Sequence, residues 1–327
     1  MNHSPNIKKV YKRFSKKPLL FELIPPEREQ TSKEIEARNQ KLLQLFERVE
    51  VNGINLPEIH EEKGKSKKGK RRSKFKPRLS PREYVQQLKK LIDTEYLICR
   101  VIVKSHPSEA EKWLVETNND YGIRNIVIVG GEQEADAYEG LSVPEGTRLI
   151  KENINTGTAR LSDIEFKAAD YLVGNISIAT RRLDTIDEPD RIIYKIKHGA
   201  DFFTTQIIAE PDSPVKLLSD LAPLLQEENL NPPLFFWSFS PISEQKDIDF
   251  MRWLGVYIPD KVEKRIMGSS DPAAESLQWN IEIWNKLQQA TTNLDIKIPL
   301  GINISFMGMR NYDHAVELAA ALKSEMR

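Results

Sequence analysis

A single cysteine, Cys99, stands among 327 residues, so the chain has no intrachain disulfide and cannot build a thiolate zinc cluster from its own residues. The lone thiol reads as a small apolar core residue of a protein from a reducing compartment. An excess of either charge is also missing, because 48 Lys and Arg are matched by 48 Asp and Glu. No global field therefore draws the chain toward nucleic acid or an anionic membrane, and a charge-driven partner must use a local patch. No stretch reaches the roughly 18 uninterrupted apolar residues of a membrane span. The basic start MNHSPNIKKVYKRFSKKPLLFELIPP has its apolar run broken by Glu22 and Pro25 and lacks a small-residue cleavage site, so it reads as mature protein. Together these absences predict a cytoplasmic protein with no membrane partner.

What is present is a repeated alternation. Apolar runs recur at LLFELIP (19–25), VEVNGINL (49–56), YLICRVIVKS (96–105), NIVIVGG (125–131), YLVGNISIAT (171–180), FFTTQII (202–208), LFFWSFSP (234–241) and IPLGINISF (298–306). Between them lie segments with helical spacing, among them SKEIEARNQKLLQLFERVE, SPREYVQQLKKLID, SEAEKWLVETNNDYG, EPDRIIYKIKHGA and PVKLLSDLAPLLQEEN, several opening on Ser, Pro or acidic residues that suit a helix N-terminus. Near-continuous apolar strands separated by helices imply a parallel sheet covered on both faces. Length alone allows one barrel or two ordinary domains, but eight units close most naturally into a single (β/α)8 TIM barrel over 1–327. A doubly wound open sheet would need a glycine-rich first turn, whereas Ile24-Pro25-Pro26-Glu27 follows the first strand. The segment 132–170, with Gly140, Pro144, Gly146 and Gly157, reads as a long irregular excursion holding short helices. The run KGKSKKGKRRSKFKPRL, residues 63–79, is dominated by Lys and Arg and reads as a flexible, solvated insertion emerging after the second strand at the C-terminal face.

Barrel chemistry gathers at the C-terminal ends of strands. That rule selects Glu22, Glu58, His60, Arg100, Glu132, Arg181, Arg182, Gln206, Ser238, Ser240 and Arg310. Glu22 lies among Phe21, Leu23 and Ile24, where desolvation would raise its pKa into the range of a general acid; a strand glutamate paired with Arg100 is the alternative. Gly130-Gly131-Glu132 ends a strand where backbone could approach a flat ligand, or where a tight turn needs a cap. Gln206 could offer donor and acceptor to a heterocycle edge. Arg181 and Arg182 could clamp an anion or pair with Asp184 and Asp187. His60 has acidic neighbours but not HExxH spacing, so no metal site is expected. The basic loop could hold a polyanionic tail or RNA phosphates, but Phe75 alone supplies an aromatic, which disfavours base stacking and nucleic acid.

At these residues the chain resembles the methylenetetrahydrofolate reductases. FELIPP is similar to the family's FEFFPP, YGIRNIVIVGGE to its G-I-R-N-[IV]-x-A-L-x-G-D, KIKHGADFFTTQ to its K-x-D-A-G-A-D-F-x-x-T-Q, and LGINISFMGMRNYDHAVEL to its last strand and helix, in matching order from about 15 to 325. The resemblance implies a one-carbon-metabolism flavoprotein: FAD across the barrel mouth would take hydride from NAD(P)H and pass it to 5,10-methylenetetrahydrofolate. Glu22 would protonate the folate's bridging nitrogen, while Glu132, Gln206, Phe306 and Arg310 would hold the folate. Arg100, Gly131, Glu132, Thr180, Arg182 and Lys195 would fall in the flavin shell. That shell departs from the family pattern, with Arg100 at a histidine position, Gly130-Gly131-Glu132 at the RGD-like turn and Thr180 at a tyrosine position. The departures motivate a second expectation, a flavin-free folate-binding subunit that works with a separate redox partner. A homo-oligomer is a further possibility under either expectation.

Overall fold

The computed structural model describes residues 3–131, 138–158, 168–181, 186–305 and 309–326. Eight strands are present at the eight apolar runs: β1 Leu19–Glu22, β2 Gly53–Leu56, β3 Glu95–Val101, β4 Asn125–Val129, β5 Leu172–Ser177, β6 Phe202–Ile207, β7 Leu234–Phe239 and β8 Leu300–Ser305. They pair in chain order and close into a parallel barrel, with β8 returning to β1. The helices are α1 Ile7–Phe14, α2 Ser32–Arg48, α3 Pro81–Leu88, α4 Pro107–Asn119, α5 Val143–Leu149, α6 Glu188–Lys197, α7 Asp212–Glu227, α8 Gln245–Trp253, α9 Asp260–Met267, α10 Pro272–Thr292 and α11 Tyr312–Ser324. This is the (β/α)8 TIM barrel expected from the pattern of runs.

Strand pleating sorts each run into two faces. Outward residues such as Phe21, Ile54, Ile98, Ile126, Phe203, Phe235 and Trp237 form the layer between sheet and helices. Inward residues such as Leu20, Leu97, Cys99, Val127, Leu172, Phe202, Leu234 and Phe236 fill the barrel. The filling is aromatic at the N-terminal end. Phe14 of α1 sits edge-on to Phe202 and Phe236, at 6.0 and 5.5 Å between ring centres, and so plugs the bottom. Glycines on neighbouring strands make room for these rings: a Cβ on Gly174 would stand 2.4 Å from the Phe202 ring, and one on Gly301 2.9 Å from the Phe236 ring.

Helix starts follow local chemistry. Ser80 and Ser142 each form a capping box, with Glu83 and Glu145, ahead of a proline in the first turn. The plug α1 and the three helices α8 to α10 between β7 and β8 were not anticipated from the sequence. The third run also ends earlier than its apolar residues suggest: after Val101 the chain turns into a 3-10 segment, Ile102–Lys104, whose Val103 carbonyl accepts from Gly140 N at 3.1 Å.

The basic segment 63–79 keeps most of its residues exposed, as expected, but it is not a free loop. It is docked along the rim, from the β2 side across to α8 and back to the chain after β1. Lys65 N donates to Trp253 O and Lys70 N to Asp249 O, both at 2.9 Å. A Cβ on Gly64 or Gly69 would stand 2.4 or 2.1 Å from Trp253 atoms, so these glycines permit the contact. Arg72 pairs with the wholly buried carboxylate of Asp247, and the Arg71 guanidinium lies 5.1 Å from the Trp253 ring centre. On the return leg Arg28 N donates to Pro77 O and Leu79 N to Pro26 O, both at 2.9 Å, while Lys76 and Arg78 meet Glu27 at 3.1 and 3.7 Å. A charge run suggests solvation only while its partners are unseen, and Asp247 lies far along the chain.

Candidate functional site

The ends of β1, β2, β7 and β8 share one polar cluster inside the mouth. Register sets Glu22 beside Asn55 of β2 and beside Ser305 of β8. Glu22 Oε2 accepts from Asn55 Nδ2 at 3.2 Å and from Asn303 Nδ2 at 3.4 Å. The same Asn303 amide nitrogen lies 3.0 Å from the hydroxyls of Ser238 and Ser305, and Ser238 Oγ donates to Thr205 O at 2.7 Å. The Cys99 thiol donates to Asn55 Oδ1 at 3.5 Å. Burial pushes the Glu22 carboxyl above the usual carboxylate range, opposed in part by hydrogen bonds from Asn303 and Ser305. Neutral amides and hydroxyls, rather than a cation, surround it among the described residues. Burial also pushes the Cys99 thiol up, helped by the negative charges of Glu22 and Glu58, so it is an inert thiol.

The carboxylate at the end of β2 is treated oppositely. Glu58 pairs with Arg100 at 2.6 Å, accepts from Val101 N at 2.8 Å and lies 3.5 Å from His60 Nε2. Burial raises its pKa, but the His60 hydrogen bond and the Arg100 charge outweigh that and leave it below the usual value. Arg100 shares the outward face of β3 with Ile98: its guanidinium sits 4.5 Å from the Trp113 ring centre of α4 and also donates to Ser105 at 2.5 Å.

Gln206 and Thr180 come together in a narrow cleft also lined by Ile178, Ala179, Ile207 and Tyr257, with a volume of about 10 Å³, room for one water. The Gln206 amide is already engaged, donating to Leu254 O at 3.2 Å and accepting from Ile207 N at 3.0 Å. Tyr257, 56% exposed at this edge, is an aromatic that sequence reasoning passed over. Lys195 is buried and donates to Ile176 O at 2.7 Å; desolvation drops its pKa to about 8, with Glu188 pulling the other way. Glu188 itself holds Ile178 N and lies 3.5 Å from Arg181. A Cβ on Gly131 would stand 2.1 Å from the Tyr138 ring, so the turn expected to receive a flat ligand packs against the protein's own aromatic. Arg310 is exposed and meets Glu244 at 3.2 Å, and Ser240 is buried behind the rim. Glu132, Arg182 and Phe306 lie outside the described residues.

Sequence reasoning missed Asn55 and Asn303, which hold Glu22. Polar residues inside apolar strands were the available signal. Among the described residues no cluster of His, Cys, Asp and Glu could hold a metal, and no helix is long and apolar enough to cross a membrane. A wide cleft of about 740 Å³, lined by Lys16, Lys17, Trp284, Lys286, Lys297 and Met326 among others, opens beside the N-terminal end of β8. That is the end of the barrel opposite to Glu22, and it brings no acid and base together.

The chain is thus a (β/α)8 barrel with an acid at the C-terminal ends of its strands, the face where barrels of this class carry their sites. The family model for methylenetetrahydrofolate reductase matches residues 82–296, and the chain belongs to that family. The matched span contains Gln206 and Lys195 and stops short of Glu22 and Arg310. Among solved structures, an uncharacterized protein from Clostridium thermocellum, described as binding two copies of 5-methyl-5,6,7,8-tetrahydrofolic acid, is similar at 21% identity over 98% of this chain and 99% of that one, with a TM-score of 0.76. EDTA monooxygenase (EmoA) from Chelativorans sp. BNC1 is similar at 8% identity over 95% and 94%, with a TM-score of 0.51. Apo-MsnO8 is similar at 11% identity over 95% and 99%, with a TM-score of 0.52. No curated protein sequence matches the chain.

Proposed function

We propose that the mouth of this barrel binds a reduced folate and that Glu22 is its acid, donating a proton to the bridging nitrogen of 5,10-methylenetetrahydrofolate so that the five-membered ring opens to the iminium ion. The observation that carries this is the Glu22 carboxyl: partly buried at the mouth, held by Asn55 and Asn303, and shifted by desolvation toward its protonated form, the direction a proton donor needs. Family membership and the folate bound by the Clostridium thermocellum relative support the ligand class. Gln206, Tyr257 and Arg310 are proposed to line the pterin and its benzoylglutamate, with Glu132 and Phe306 as further candidates.

The described residues of the expected flavin shell are largely engaged with the protein itself. Arg100 is turned outward onto Trp113 and spent on Glu58, Lys195 is sealed against Ile176 O, Tyr138 occupies the space beside Gly131, and the Thr180 cleft holds about one water. We therefore favour a folate-binding, proton-supplying component whose hydride comes from a separate redox partner. The reading with a resident FAD fed by NAD(P)H is its competitor. The relative's two bound folates raise a stoichiometry of two for this chain as well.

An absorbance spectrum before and after adding FAD or FMN, followed by anaerobic 5-methyltetrahydrofolate and calorimetry, decides between them. The expected result is no bound flavin with saturable folate binding. Flavin bands that bleach on adding the folate would establish the flavin-dependent reductase instead, and no folate binding would overturn both.

A further inference from the structure

The rim strap 63–79 spends only part of its charge on its anchors. Arg72 meets Asp247 and, at 3.6 Å, Glu244; Lys76 and Arg78 meet Glu27; and Arg71 lies between Trp253 and Phe75. Lys63, Lys65, Lys67, Lys70 and Lys74 are exposed and, among the described residues, stand in no ion pair, while the exposed Lys68 acts on Glu263 only at longer range. A row of unpaired cations repels itself and favours a detached, extended chain. Here the row is instead fastened to the rim by two close glycine contacts and a buried ion pair. Glu244 bridges the strap to Arg310, which it meets at 3.2 Å, so the cations are held beside a residue proposed to face the ligand.

We propose that the strap is a binding site for a chain of carboxylates, the oligo-γ-glutamyl tail of a folate whose pterin lies in the mouth. The proposal rests on the folate reading above and adds the form of the ligand. Separate lysine ammonium groups suit carboxylates spaced along a flexible chain, each pairing as a point charge without a fixed fork. The other polyanion such a run could take is nucleic acid. Its bases find no platform here, since Phe75 is the only aromatic of the strap and Arg71 lies 5.4 Å from its ring centre. The anchors fix the strap's place, so the tail meets a surface already formed and little ordering entropy is lost on binding.

The test is calorimetry of 5-methyltetrahydrofolate in its monoglutamyl and pentaglutamyl forms, with the wild type and a variant carrying Lys65→Ser, Lys67→Ser, Lys68→Ser and Lys70→Ser. A few screened surface pairs predict that the wild type binds the pentaglutamyl form about tenfold more tightly, that this ratio shrinks as salt rises, and that it falls toward one in the variant. Equal binding of the two forms by the wild type, or an unchanged ratio in the variant, overturns the proposal and leaves the folate reading standing. Binding of neither form overturns both. Poly-uridylate that binds as tightly as the pentaglutamyl folate, and loses affinity in the same variant, assigns the strap to nucleic acid and overturns the proposal too.

Discussion

Two carboxylates stand near the ends of adjacent strands, and the barrel treats them in opposite ways. Glu58 is given Arg100, His60 and a backbone N–H, and its pKa lies below the usual value. Glu22 is given two amides and the Ser305 hydroxyl, with no cation among the described residues, and its pKa lies above it. The difference is one of compensation rather than depth, since both are largely enclosed. A buried carboxylate with a matched cation is fixed in charge and serves position, whereas one with only neutral donors can exchange a proton and serve chemistry. The β2–β3 corner is thus the charge-paired side of the mouth, and the β1–β8 corner is the one to which the proposed function assigns the chemistry.

The largest effect expected from breaking this contrast is on chemistry. Glu22→Gln keeps the hydrogen-bonded shape and removes the proton, so hydride transfer to 5,10-methylenetetrahydrofolate from a competent donor should slow by about 10² to 10⁴, while calorimetry shows folate still bound. An unaltered single-turnover rate would move the acid elsewhere. On the charge-paired side, Arg100→Ala strands Glu58 without its cation and removes packing on Trp113. Chemical denaturation should register a loss of roughly 3 kcal/mol, the scale of a broken buried pair. A loss below about 1 kcal/mol would mark the pair as solvated.

The pH dependence should run in opposite directions at the two sites. Glu22, with a folded pKa raised above its ordinary 4.5, contributes stability that is present below that value and lost as pH rises through the folded value. Glu58, with a lowered folded pKa, contributes stability present above 4.5 and lost as pH falls through the folded value. Relative to wild type, Glu22→Gln should therefore gain stability as pH rises from acid toward neutral, and Glu58→Gln should lose it. Melting curves that shift the same way for both variants would remove the distinction. A smaller effect is expected from Asn303→Ala, which removes a donor to Glu22: about 1 kcal/mol of stability, with the Glu22 pKa rising further.

The eight strands were legible because parallel strands buried on both faces are nearly continuous in apolar residues, and all eight runs became strands. Glu22 stood out because a charge interrupts such a run. Its partners did not. Asn55 and Asn303 are short polar residues whose inward direction depends on strand register, and register is set by the closed barrel. Arg100 was placed at the right strand end, but its outward direction follows from pleating together with Trp113 on a helix that packs outside. The docking of 63–79 was illegible because its anchors, Asp247 and Trp253, follow β7, and the composition of the strap alone suggests water. The plug α1 was hidden by its own charge: Lys9 and Arg13 are spent on Asp170, while Val10 and Phe14 turn into the barrel.

The most direct test of the account is the protonation state of Glu22 itself, read by infrared difference spectroscopy during a pH titration of the wild type and Glu22→Gln. The account predicts a protonated-carboxyl C=O band that persists clearly above pH 4.5 in the wild type and is absent from the variant. A Glu22 that ionises at its ordinary value, with no such band above pH 4.5, would contradict it.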